Sequence, residues 1–160
     1  GLGIQYRWVI KKELRKIPLF GYALHASRNI FIDRSDQQSA IRSINEGMDR
    51  LPEGAGVLFF PEGTRSPDGR IHPFKKGGFT IALERRLPIL PVTINGSRRL
   101  LAKSSMVFFS GPIEVVISPP IDTVGYTTET MADLIEKTRN TIVEKFDPDY
   151  PAGGKAREQS

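Results

Sequence analysis

The sequence predicts an α/β fold, a mixed and largely parallel sheet flanked by helices, and three patterns point there. Short apolar runs bounded by turn residues stand at 57–60 and 89–94, as strands do when both faces of a sheet are covered. Ile41, Ile44, Met48 and Leu51 recur at helical spacing, as do Met131, Leu134, Ile135, Ile142 and Phe146. Strand-like and helical segments alternate through the first two thirds of the chain, with no internal repeat and no low-complexity stretch.

Taken in order, residues 6–10 read as a first strand, followed by the basic stretch Lys11, Lys12, Arg15 and Lys16 and by a connection that Pro18 and Gly21 punctuate. Residues 29–32 read as a second strand. Ser35 with Gln38 three residues later forms a capping box for the helix of Ile41 to Leu51, which Pro52 and Gly54 should end. A third strand covers 56–60. Residues 61–78 then show no apolar periodicity and hold four glycines, predicting a long loop of the kind that is usually functional in a compact chain. A short helix at 79–86, a fourth strand at 89–94, a strand pair at 106–109 and 114–117 joined by Gly111-Pro112, and a last helix from about 128 to 146 complete the reading. The tail 147–160, with two prolines and two glycines, is expected to be flexible.

A length of 160 residues fits one ordinary domain able to bury a core. Hydrophobic residues make up 39% and charged residues 26%, and mean hydropathy is -0.27, which places the chain among globular proteins. No apolar run approaches the roughly 20 residues of a membrane-spanning helix. Lys and Arg number 23 against 18 Asp and Glu, a net charge of +5 with a pI near 9.6, so the surface should attract anionic lipid, nucleic acid or phosphorylated metabolites. Cysteine is absent, which excludes disulfides and thiol catalysis. The first residue is Gly1, and residues 2–9 lack the layout of a signal peptide, so the chain is expected to be cut from something longer.

The informative segment is Phe60-Pro61-Glu62-Gly63-Thr64-Arg65-Ser66, directly after a predicted buried strand, where α/β sheets bind ligands. Its side chains suit an anion. Gly63 permits close approach of backbone, Thr64 and Ser66 offer hydroxyls, and Arg65 offers a planar fork matched to phosphate. Glu62 repels phosphate and needs another task, either accepting a hydrogen bond from an acceptor hydroxyl or orienting Arg65. The plain alternative is a polar turn in which Ser66-Pro67-Asp68-Gly69 reverses the chain.

This string resembles the third signature block of the phospholipid and glycerol acyltransferases, in the 1-acylglycerol-3-phosphate O-acyltransferase branch. Other segments resemble the family in the right order. Lys11-Lys12-Glu13-Leu14 with Ile17-Pro18-Leu19-Phe20-Gly21 is similar to the segment upstream of the second block, and Ile30-Phe31-Ile32-Asp33-Arg34 to that block. Pro73-Phe74-Lys75-Lys76-Gly77 is similar to the continuation of block three, and Leu87-Pro88-Ile89-Leu90-Pro91-Val92 to block four.

The resemblance implies a glycerolipid acyltransferase-like fold and a division of labour. Arg34, ending block two, and Arg65 of block three bind the acceptor phosphate, Glu62, Gly63 and Thr64 shape the same pocket, and Lys75 or Lys76 adds charge. Pro91 shapes a strand end. The reaction implied is transfer of a fatty acyl group from acyl-CoA or acyl-carrier protein, as co-substrate, to 1-acylglycerol-3-phosphate to form phosphatidic acid, with no metal or other cofactor. A lysophospholipid acceptor, an acyl thioester donor and a membrane surface are the expected partners, on the cytoplasmic side. Arg7, Trp8, Arg15 and Lys16 form a candidate basic, aromatic-bearing face toward that membrane.

One departure is serious. The family attributes catalysis to a histidine followed five residues later by an aspartate, a base and its orienter. Five residues after His25 stands Ile30, and five after His72 stands Gly77, so no catalytic residue is assigned within this chain. Residues 1–146 are therefore expected to be an acyltransferase domain without its N-terminal catalytic-motif segment, inactive alone. The alternative is a non-catalytic module that binds anionic lipid through the phosphate pocket. Nucleic acid is disfavoured, because the aromatics lie mainly in apolar strand runs and not between basic residues.

Overall fold

In the computed structural model the structure describes residues 5–33, 35–100 and 110–150, and these divide into two compact units, Gly1–Phe60 and Pro61–Ser160. Architecture is mixed α/β, as the alternation of periods predicts.

The first unit is built on a parallel three-stranded sheet. β1 (Tyr6–Lys11) is central, with β2 (Ile30–Ile32) on one side and β3 (Gly56–Leu58) on the other. The register pairs Val9 with Ile30 and Arg7 with Val57. Parallel strands need a crossover, and here helices supply it. Between β1 and β2 run a 3-10 turn (Lys12–Lys16) and α1 (Phe20–Ala26), where the sequence reading expects only a connection; elements of five and seven residues leave too little periodicity to detect. Between β2 and β3 runs α2 (Gln37–Asp49), whose Ile44 is buried with Val9, Ile10, Ile30 and Ile32 to form the unit's core.

The cap of α2 corrects the expected capping box. Asp36, not Ser35, is the N-cap residue, its carboxylate accepting from Ser39 N–H at 3.0 Å. Ser35 turns the other way, its hydroxyl donating to Asp33 Oδ1 at 2.6 Å and its N–H to the same oxygen at 2.9 Å. A carboxylate on each side competes for the same short stretch, and the serine satisfies the preceding one.

In the second unit, the expected strand at 89–94 is divided. Ile89 makes an isolated antiparallel bridge to Ile121, and the regular strand is β4 (Val92–Asn95). Pro91 lies between and has no N–H to donate, but its carbonyl accepts from Ser118. β5 (Glu114–Ile117) pairs antiparallel with β4, so its described partner is not the expected 106–109 segment, which lies outside the described residues.

α3 (Gly77–Glu84), the short α4 (Ser97–Leu100) and α5 (Met131–Glu144) complete the unit. Phe79, Ile121, Met131 and Leu134 are its buried core, with Phe74, Leu83, Ile89, Tyr126 and Ile135 packed around them. Helical spacing on α5 therefore predicts the correct face. Asn95, fully buried at the end of β4, donates to Glu114 Oε2 at 2.9 Å and to the Lys145 carbonyl at 3.1 Å, and accepts from Asp147 N–H at 3.0 Å. One amide thus joins strand, neighbouring strand and helix end, satisfying the polar groups that burial would otherwise penalise.

Candidate functional site

The 61–78 segment has few regular backbone bonds of its own, so its order depends on bonds to other groups. Pro61 carbonyl accepts from Lys75 N–H at 2.8 Å, closing the loop on itself. Glu62 Oε2 accepts from the backbone N–H of His72 at 3.0 Å, a second tie across the loop. From α5, Arg139 Nη2 donates to the Ile71 carbonyl at 2.9 Å. Phe74 stacks on core Phe79, with centroids 6.4 Å apart and planes inclined by 23°. Of the two tasks the sequence suggests for Glu62, the structure adds a third: its carboxylate holds the loop closed.

Within this frame, Gly63 has φ +73°, in the left-handed region that glycine tolerates. A Cβ there would lie 3.0 Å from Cδ and Cε of Lys75 and 3.1 Å from its Nζ. The Lys75 chain therefore lies across the turn, bringing its ammonium to the backbone between Glu62 and the exposed Thr64 and Arg65. Hydroxyl, guanidinium and ammonium are all donors, and such a set matches a phosphate oxyanion. Lys76 leads into α3 as its N-cap residue and is exposed. Gly63→Ala is expected to lower stability by about 1 kcal/mol through left-handed strain, displacing Lys75 as well. Urea denaturation measures the first effect.

Ser66 is a correction. Its hydroxyl, read as an anion donor, donates to Asp68 Oδ1 at 2.9 Å and accepts from Gly69 N–H at 2.8 Å. The plain turn therefore exists beside the candidate site: serine and aspartate satisfy the reversal's own backbone. Asp68 also accepts from Arg70 N–H at 3.0 Å and lies 2.8 Å from Nε2 of His72. The Arg70 N–H, then the His72 ring and the Ser66 hydroxyl, hold its carboxyl well below the usual range. A depressed carboxylate stabilises the turn above its ordinary value, and that contribution is lost as pH falls through the depressed one. Asp68 should thus titrate below an ordinary exposed aspartate in a side-chain carboxyl NMR titration, and Ser66→Ala should raise its midpoint.

In the first unit, Asp33 closes β2 and pairs with Lys12, which follows β1. Lys12, with the Ser35 hydroxyl and N–H, pushes the Asp33 carboxyl well down. Arg34, the next residue and the block-two candidate, lies outside the described residues. His25 stands edge-on to Phe31, 6.4 Å between centroids.

The structure thus gathers Glu62, Gly63 and Lys75 around one closed turn, with Thr64 and Arg65 exposed on it. Sequence reasoning missed the tethers: Arg139 acts from 68 residues away, and no local pattern marks it. A depression of about 330 Å³ in the same unit shares only Gly69 with the loop, so the candidate donors stand on open surface instead of in that cavity. Among the described residues no group of three His, Asp or Glu could hold a metal ion, and no helix is long and apolar enough to cross a membrane.

Comparison with known proteins gives the family and the fold. Residues 3–95 match the model of the family described as Acyltransferase. A chloroplastic 1-acyl-sn-glycerol-3-phosphate acyltransferase of Brassica napus is 36% identical over 147 residues, 91% of this chain and 41% of that protein. The enzyme of the same name from Pseudomonas aeruginosa is 36% identical over 137 residues, 85% of this chain and 53% of its own length. The crystal structure of the 1-acyl-sn-glycerophosphate (LPA) acyltransferase PlsC from Thermotoga maritima superposes with a TM-score of 0.75 at 28% identity, covering 94% of this chain and 58% of that one. The chain spans about half the length of the curated relatives it matches. With the family model matching more than half of its residues and the fold shared with a solved member, this chain belongs to the acyltransferase family.

Proposed function

We propose that this chain carries the acceptor-phosphate half of a glycerolipid acyltransferase that acts on 1-acylglycerol-3-phosphate. The reaction moves a fatty acyl group from the thioester of coenzyme A or acyl-carrier protein to the free hydroxyl of the acceptor, giving phosphatidic acid and releasing the thiol. Several relatives bear the name of this activity. The observation that carries the assignment is the closed turn at Gly63, with the Lys75 chain across it and Thr64 and Arg65 exposed beside it.

In this reading Arg65 and Lys75 bind the phosphate, Thr64 donates a hydroxyl bond, and Glu62 keeps the turn closed through His72 N–H. Arg34 is assigned to the same phosphate by resemblance. Lys76 adds charge near the site. The acceptor is drawn from a membrane on its cytoplasmic side. The test is 31P NMR of short-chain lysophosphatidic acid with the chain: its resonance should shift and broaden, and glycerol 3-phosphate should compete while lysophosphatidylcholine does not. Equal competition by both would remove the phosphate monoester from the assignment.

A second reading, a module that binds anionic lipid without chemistry, draws on the absence of a His-x4-Asp pair in this sequence. Acyl-transfer assays on a longer protein that joins this chain to a His-x4-Asp segment separate the two: turnover there favours the first reading, and its absence the second.

A further inference from the structure

The unit Gly1–Phe60 carries a surface that the acceptor site does not use. Between β1 and β2 the chain exposes Ile17 at 45%, Leu19 at 86%, Phe20 at 51% and Tyr22 at 79%, all within six consecutive residues. Single exposed apolar residues are ordinary, whereas four in so short a segment form a patch.

Its backbone is held in place. Leu19 has φ 60° and ψ -52°, a strained γ-turn geometry, and the turn is closed by Phe20 N–H to Pro18 carbonyl at 2.6 Å and Gly21 N–H to Ile17 carbonyl at 2.7 Å. Gly21 is buried so closely that a Cβ would lie 2.3 Å from the Arg15 carbonyl oxygen. The apolar segment is therefore clamped onto the preceding 3-10 turn, which is strongly basic.

Charge decides what fits this surface. Residues 11–28 hold Lys11, Lys12, Arg15, Lys16 and Arg28 against the single acid Glu13. Lys12 is engaged by Asp33, and the Arg15 guanidinium lies 6.0 Å from the Phe31 ring centroid, while Lys11 and Lys16 are exposed. A second copy of the chain would bring like charges together. A nucleic acid would satisfy the cations but leave Leu19 and Ile17 without an apolar partner. The interfacial zone of an anionic bilayer satisfies both: aliphatic side chains enter the acyl region, the tyrosine stays at headgroup depth, and the cations meet phosphates.

We propose that the 17–22 knob and the basic turn beneath it are the surface through which this chain docks on an anionic bilayer. The inference deepens the membrane-associated reading above, and its test contains no lysolipid, so the docking surface and the acceptor site can fail separately.

The test is flotation with vesicles of phosphatidylcholine and phosphatidylglycerol. Leu19→Ser should lower the partition coefficient roughly tenfold or more, from the transfer free energy of one leucine side chain. Lys16→Glu should lower it by about fivefold or more, with a weaker dependence on salt. At 86% exposure Leu19 supports little of the fold, and a circular dichroism melt checks that the variant retains it. Because the chain has no cysteine, Leu19→Cys can carry an environment-sensitive fluorophore that should shift to the blue on these vesicles, while one at Glu53→Cys does not. Three results overturn the proposal: no flotation of the unaltered chain; flotation that Leu19→Ser leaves unchanged, which is charge attraction alone; and a shift at position 19 that rises with protein concentration without vesicles, which is self-association. Retained lysophosphatidic acid binding alongside any of these leaves the acceptor site standing.

Discussion

Arg65→Ala is expected to weaken acceptor binding by roughly 1.5 to 3 kcal/mol, about 10- to 150-fold in Kd, because one charge-assisted bond to phosphate is lost. The side chain is exposed on a loop whose closure involves Pro61, Glu62, Ile71 and Phe74. Arg65→Lys keeps the charge but not the planar fork, and should fall between the two. Calorimetry with short-chain lysophosphatidic acid at fixed ionic strength measures the effect, and a parallel thermal melt checks the fold. Unchanged affinity in Arg65→Ala would remove this residue from the phosphate site. The same titration on Arg34→Ala examines its assignment independently.

Where Arg65 is found was legible in the sequence, but what prepares its loop was not. The apolar run before Pro61 and the glycine-rich, aperiodic 61–78 segment suffice to predict a functional loop after a strand. Ties across that loop involve backbone groups: the His72 N–H that Glu62 holds and the Ile71 carbonyl that Arg139 reaches are the same chemical groups in every residue and leave no trace in side-chain identity. Side-chain competition is also invisible to spacing. Ser35 and Ser66 both fit a motif, and both give their hydroxyls to a nearby aspartate. Periodicity is a stronger signal where many positions report together, as on α5, and weaker where one proline redistributes the bonds, as Pro91 does between the Ile89 bridge and β4.

No acyl transfer above the uncatalysed background is expected from the purified 160-residue chain supplied with lysophosphatidic acid and an acyl thioester. A positioned general base contributes on the order of 10²- to 10⁴-fold, and it must reach the acceptor hydroxyl with one ring nitrogen while the other is oriented. His72 comes nearest to that description, its Nε2 2.8 Å from Asp68 Oδ1. Yet the same oxygen accepts from Ser66 Oγ and Arg70 N–H, and the residues are four apart on a turn, so the pair reads as the anchor of a reversal. His25 packs its ring edge against Phe31 and has no carboxylate within ion-pairing distance among the described residues. Mass spectrometry of the reaction mixture for phosphatidic acid is the measurement, with His25→Ala and His72→Ala run beside the unaltered chain. Turnover that vanishes in one of these variants would make that imidazole the base; were it His72, the His72–Asp68 pair would be a catalytic dyad held in the loop proposed to bind the phosphate.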